Sequence, residues 1–171
     1  MYLFTLPLSE EHERTLSFLQ TSKAEVLSSA GPVGVLTAKE IYEDRKGAIE
    51  EASVCCALVQ GQWPKTSDEF CQALCDEPKS VLDWRRRNFL MMAVAKNMVF
   101  VADDKVASSQ ELLTLLTVAR IVGAQTLGVI PAGTIPFAVP STILSAADLI
   151  LSGEADSHTA QRIIRSLTQE G

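Results

Sequence analysis

Apolar and polar positions fall in blocks that predict strands separated by helices. Tyr2–Leu6 is a short apolar run, expected to be a first strand. Ser9-Glu10-Glu11-His12 supplies a helix start, and Leu16, Phe18, Leu19 and Val26 keep one face apolar to about residue 28, before the Gly31-Pro32 break. Val33–Leu36 reads as a short strand or an extended connection. Thr37-Ala38-Lys39-Glu40 resembles a capping box and opens a helix over 38–51, with Ile41, Ala48 and Ile49 inward. Ser53–Val59 is continuously apolar, the pattern of a strand buried on both faces, on which Cys55 and Cys56 would face opposite sides.

Gly61 to Pro64 forms a turn, Thr66-Ser67-Asp68-Glu69 caps the next helix, and Pro78 closes it. A helix over Ser80–Lys96 leads into a strand at Asn97–Ala102, and a Leu-rich helix over Ser108–Gly123 into a strand at Thr126–Ile130. The Pro-, Ser- and Thr-rich segment 131–147 is expected to be irregular, followed by a short element at Ala146–Leu151 and a terminal helix at Ser157–Leu167. Helices between strands require crossover connections, so the pattern predicts one α/β domain over residues 1–171. Its mostly parallel sheet should have about five strands, flanked by helices.

A chain of 171 residues with 47% apolar content can bury one sizeable core. Its net charge of −6 opposes non-specific binding to DNA, which needs many cation–phosphate contacts. Met1–Leu8 lacks the basic start of a signal peptide, and the weakly polar stretch Leu127–Leu144 is interrupted by prolines and glycines. A cytoplasmic location without a membrane span is the expectation. The four cysteines include no CxxC, and the two histidines, His12 and His158, lie in polar surroundings, so the thiols read as free and buried rather than as zinc ligands.

The segment Trp84-Arg85-Arg86-Arg87-Asn88-Phe89 sets three guanidinium groups near a helix start. Free backbone N–H groups and the helix dipole favour anions there, and arginine adds planar forks that grip phosphate or carboxylate. Trp84 reads as a packing residue that could also stack on a base. In parallel sheets ligands bind beyond the carboxyl ends of strands. The loops expected there follow Leu6, Val59, Ala102 and Ile130. They hold Pro7 and Ser9; Gly61, Trp63 and Lys65; Asp103, Asp104, Lys105, Ser108 and Ser109; and Pro131, Gly133 and Thr134. Ser108 and Ser109 would donate to a phosphate or cap a helix. Asp103 and Asp104 would hold magnesium, act as a base, or form a solvated turn. Neither GxGxxG nor GxxxxGK[ST] occurs. Glu43, Asp44 and Glu69 flank the apolar run at 53–59, where paired carboxylates would do nucleophile and acid work on a sugar. No Ser/His/Asp or Cys/His arrangement is indicated.

Arg86-Arg87-Asn88-Phe89, the apolar helix after it, Met98-Val99-Phe100-Val101-Ala102, the serine pair, the helix ending at Gly123 and Leu127-Gly128-Val129-Ile130-Pro131 together resemble part of the DNA-processing protein A (Smf) Rossmann domain. That family belongs with the LOG-type phosphoribohydrolases. The resemblance covers residues 84–131, with Ser108-Ser109 in place of a Ser-Gly turn; the LOG-type PGGxGTxxE signature is absent. Tyr2–Ser9 and Ile41–Gly61 resemble nucleoside 2-deoxyribosyltransferases, whose nucleophilic glutamate would fall on Glu69.

These resemblances imply a Rossmann-like fold. They imply a nucleotide- or phosphate-binding protein in which Arg86, Arg87 and Asn88 contact the anion and Ser108 and Ser109 donate to it. A second expectation is an enzyme acting on an N-glycosidic bond, with Glu69 as nucleophile and Asp44 nearby. A third is a non-catalytic scaffold that binds a protein partner. No cofactor or metal is implied, whether the protein is an enzyme stays open, and a homodimer is a possible assembly.

Overall fold

In the computed structural model five strands pair in parallel, in the order β2-β1-β3-β4-β5. Residues 1–6, 10–21, 25–28, 33–102, 110–134 and 139–169 are described. The strands are β1 (Tyr2–Thr5), β2 (Glu25–Ser28), β3 (Asn97–Val101), β4 (Gln125–Pro131) and β5 (Leu149–Gly153). The helices are α1 (Glu10–Thr21), α2 (Val35–Glu51), α3 (Ser67–Cys75), α4 (Val81–Ala95), α5 (Gln110–Val122), α6 (Ser141–Ala146) and α7 (Ser157–Gln169), with a 3-10 helix at Ala52–Val59. The fold is therefore α/β and Rossmann-like, as the alternating pattern implied.

Alternation along the strands sorts the core into two layers. Leu3, Val99, Leu127 and Val129 face one side and pack with Leu19 of α1 and Ala160, Ile163 and Leu167 of α7. Phe4, Met98 and Phe100 face the other and pack with α4 and α5. On that second side α2, the 3-10 helix and α3 form a further layer, each touching α4. The central helix is thus enclosed, and every residue from Arg87 to Ala95 is buried. A helix buried all round carries no amphipathic stripe, which is why its sequence is apolar without periodicity.

Four expectations are corrected. The run at 53–59 is a 3-10 helix, not a strand. It continues α2 without a break, burying Ala52, Cys55 and Val59 while Val54 and Leu58 are exposed. A short apolar run does not distinguish a buried strand from a helix, and no turn residue separates it from α2. The first helix spans Glu10–Thr21, and Val26 belongs to β2, an edge strand paired with β1. The seven-residue spacing from Leu19 to Val26 suits both structures. Thr37 does not cap α2, which starts at Val35 with Gly34 as its N-cap. The fifth strand lies at 149–153, slightly later than the element expected at 146–151.

The caps of α3 and α4 share one construction. Thr66 Oγ1 accepts from the Glu69 N–H at 3.2 Å, while Glu69 Oε2 accepts from the Lys65 N–H at 2.6 Å. Ser80 Oγ accepts from the Asp83 N–H at 3.1 Å, while Asp83 Oδ2 accepts from the Lys79 N–H at 3.3 Å. Each pair satisfies one N–H of the helix's first turn and one of the residue just before the cap. Ser80→Ala is expected to cost about 1 kcal/mol and Ser80→Gly only a few tenths. Chemical denaturation of the two variants checks the order.

Candidate functional site

The strand order 2-1-3-4-5 reverses between β1 and β3, and the crevice beyond the carboxyl ends of those strands is where such sheets bind ligands. Helix α4 reaches that end from below. It joins β3 through Lys96 alone, which takes a left-handed conformation (φ 58°), so helix and strand run antiparallel from a common base. From Ala95 back to Arg86 the helix climbs about 13 Å, and from Asn97 to Val101 the strand climbs about the same. Arg86, Arg87 and Asn88 therefore stand level with the last residues of β3, and the first turn of α4 projects past the sheet.

The four consecutive polar residues of α4 point to different neighbours, because successive helical side chains are about 100° apart. Arg85 crosses to α5, where its Nη2 lies 2.6 Å from Glu111 Oε1. Arg86 donates from Nη1 to Gln62 Oε1 at 2.8 Å and from Nη2 to Asp83 Oδ1 at 3.3 Å. Arg87 is only 3% exposed, and its Nε and Nη2 have no hydrogen-bond partner. Its electrostatic neighbour is Cys75 on α3, and burial pushes its guanidinium below its ordinary pKa. Asn88 is fully buried, with neither Oδ1 nor Nδ2 partnered. Trp84 packs against the main core, as its packing reading required.

A second unpartnered group lies in strand β1. Thr5, the last residue of β1, is fully buried, pairs in register with Val99 of β3, and has no partner for its hydroxyl. Thr5 shares the Leu3 and Val99 face of the sheet, which packs on α1 and α7, so its hydroxyl lies on the opposite face from α4 and the Asn88 amide. Buried polar atoms cost about 1–3 kcal/mol each when unsatisfied, and the Asn88 amide carries two of them.

Beside the overhanging turn of α4 opens a cleft of about 620 Å³. Trp63 and Pro64 line it together with Lys65, Lys79 and Arg86 and with Glu69, Asp76, Glu77 and Asp83. A smaller cleft of about 410 Å³ shares the Gly61 and Trp63–Lys65 wall and reaches Tyr42, Lys46 and Glu50. Trp63 is fixed between them by its indole N–H, which donates to the Ile49 carbonyl at 2.9 Å. The sequence reading included Gly61, Trp63 and Lys65 as a loop after a strand. It missed Lys79 and Asp83, whose only local signal was the Pro78–Ser80 break before a helix.

The expected carboxylate pair is distributed differently. Glu69 lines the larger cleft but is engaged by the Lys65 N–H. Asp44 is on α2, 60% exposed in its side chain, and pairs with Arg45 at 3.4 Å. It lines neither cleft. Glu43 is exposed on the same helix. Ser108 and Ser109, with Asp103, Asp104 and Lys105, lie outside the described residues, as do Pro7 and Ser9. Among the described residues no three His, Cys, Asp or Glu side chains form a metal-binding group, and no helix is long and apolar enough to cross a membrane. Comparison of the chain with protein-family models, with curated proteins and with solved structures finds no match.

Proposed function

We propose that the protein binds a phosphorylated small molecule, with nucleotides as the leading class, at the carboxyl ends of β1 and β3. The observation that carries this reading is the fully buried Asn88 amide on α4, whose Oδ1 and Nδ2 are both unpartnered. Arg86 and Asn88 on α4, with the hydroxyls of Ser108 and Ser109, hold the anion in this reading. Arg87, buried beside Asn88 in the sequence, adds positive potential to the site. The resemblance of residues 84–131 to the DNA-processing protein A and LOG-like superfamily points the same way.

The test is a thermal-melt panel of nucleosides, nucleoside mono-, di- and triphosphates and short single-stranded DNA. A true ligand at about 100 times its dissociation constant adds roughly 2.7 kcal/mol to the native state. The expected result is a shift with one phosphorylated class that is lost in Asn88→Leu. That variant removes two unsatisfied buried atoms at similar volume, so without ligand it should melt higher, by an amount equivalent to about 1–3 kcal/mol. No shift with any phosphorylated compound, or an undiminished shift in Asn88→Leu, would overturn the reading and leave the partner-binding scaffold as the better account.

A further inference from the structure

The two clefts share a rib of chain at Gly61 and Trp63–Lys65. That rib is fixed: Trp63 is 8% exposed, and its indole N–H is held by the Ile49 carbonyl at 2.9 Å. The smaller cleft is walled mainly by apolar side chains, Tyr42, Ile49, Cys56, Trp63 and Pro64, with Lys46 over the Tyr42 ring at 5.8 Å. The larger cleft runs along α3, because Glu69, Gln72, Ala73 and Asp76 recur at the spacing of one helical face. From Glu69 to Asp76 the helix rises about 10 Å, the span of about three residues of extended chain.

The opposite wall of the larger cleft is satisfied internally. Arg86 donates to Gln62 at 2.8 Å and to Asp83 at 3.3 Å, and Asp83 accepts from the Lys79 N–H at 3.3 Å. Glu69 is taken by the Lys65 N–H. The side chains of Lys65, Asp76, Glu77 and Lys79, by contrast, make no hydrogen bond or ion pair among the described residues. Lys65 stands at the rib beside Glu69, and the other three follow the far end of α3. Lys79 offsets only one of the two acids there, so the far end keeps a negative excess while the rib end is balanced. The joined clefts therefore offer an apolar chamber at one end and uncompensated carboxylate about 10 Å away at the other.

We propose that the two clefts form one docking groove for an extended peptide segment of a partner protein. Its apolar side chain fills the smaller cleft, and a basic side chain three residues away lies opposite Asp76 and Glu77. An extended chain matches both the spacing of the two ends and the open groove between them, where the wall is the small side chain of Ala73. Acids outnumber cations in the larger cleft, which opposes a phosphorylated ligand there. The groove is independent of the phosphate-ligand reading: it does not use Asn88, and Arg86 is engaged in its wall by Gln62 and Asp83.

Cys56 is a built-in reporter, because it is half-buried in the wall of the smaller cleft, whereas Cys75, also half-buried, lines neither cleft. The experiment alkylates the reduced, full-length protein with iodoacetamide and follows both thiols by mass spectrometry. The probes are N-acetylated, C-amidated tetrapeptides with phenylalanine or serine at one end and arginine, alanine or glutamate at the other, in both chain directions. Phenylalanine–arginine peptides should slow alkylation of Cys56 and leave Cys75 unchanged. Serine for phenylalanine should weaken protection at least about tenfold, and glutamate for arginine about fivefold. Asp76→Lys combined with Glu77→Lys should turn the preference toward glutamate. Glu77→Lys alone should move it the same way, and decides if circular dichroism shows the double variant unfolded. Asn88→Leu should leave protection at the wild-type level, so a failure of the phosphate reading does not touch this result. No protection by any peptide, protection indifferent to both end residues, or a preference unmoved by the lysine variants would each overturn the groove. So would protection of Cys56 that rises with protein concentration alone, which would assign the clefts to a second copy of the chain.

Discussion

Phe100→Ala is expected to cost about 3–5 kcal/mol, which at this chain length lowers Tm by roughly 2–4 °C for each kcal/mol. Phe100 is fully buried in the central strand β3 and faces the larger core. Its register partner on β4 is Gly128, and the ring occupies the space that a side chain there would fill. A Cβ built on Gly128 would lie 2.8 Å from Phe100 Cζ and 3.1 Å from Ile150 Cδ1. Removing the ring opens a cavity whose walls are hydrogen-bonded strands and the enclosed helix α4, neither of which collapses readily. The converse substitution, Gly128→Ala, overpacks the same place and should cost about 1–3 kcal/mol. Because the two residues share one volume, Gly128→Ala combined with Phe100→Leu should cost less than the sum of the single changes, by about 0.5–3 kcal/mol. Urea denaturation of the set measures the coupling, and strict additivity would show that the ring and the glycine do not compete for space.

That pairing also marks the limit of what the linear sequence conveys. Strands β1, β3 and β4 are legible as apolar runs because central parallel strands are covered on both faces. The ends of α3, α4 and α5 are legible because Thr66, Ser80 and Gly123 are local signals, and each does sit at a helix boundary. The segment 52–59 is equally apolar for a different reason. It packs one face onto α4 and leaves Val54 and Leu58 exposed, and composition does not record which face is covered. Edge strand β2 was hidden because its four residues also continue a helical spacing.

The candidate site divides along the same line. That α4 carries its polar residues at the carboxyl end of the sheet follows from the order helix then strand. The destination of each residue depends on tertiary partners: Glu111 is 26 residues from Arg85 and Gln62 is 24 from Arg86. A run of three arginines thus reads as one anion site in sequence but serves an interhelical ion pair, a cleft wall and a buried charge in the fold.

The buried charge leads to the second large effect. Arg87→Met should raise the stability of the free protein by about 1–4 kcal/mol, because a flexible apolar side chain of similar length replaces a desolvated cation that pairs with no carboxylate among the described residues. The guanidinium is 3% exposed and two of its nitrogens are unpartnered, so removing it breaks no hydrogen bond made by those atoms. Burial lowers its pKa, so the charged form is the one that strains the fold, and the penalty persists at every pH below that lowered value. Arg87→Lys keeps the charge and should bring no comparable gain, which separates electrostatic relief from better packing. Denaturation midpoints of the wild type and both variants provide the comparison. An equal rise in both would assign the effect to packing, and a loss of several kcal/mol in Arg87→Met would show that the fold itself already satisfies this cation.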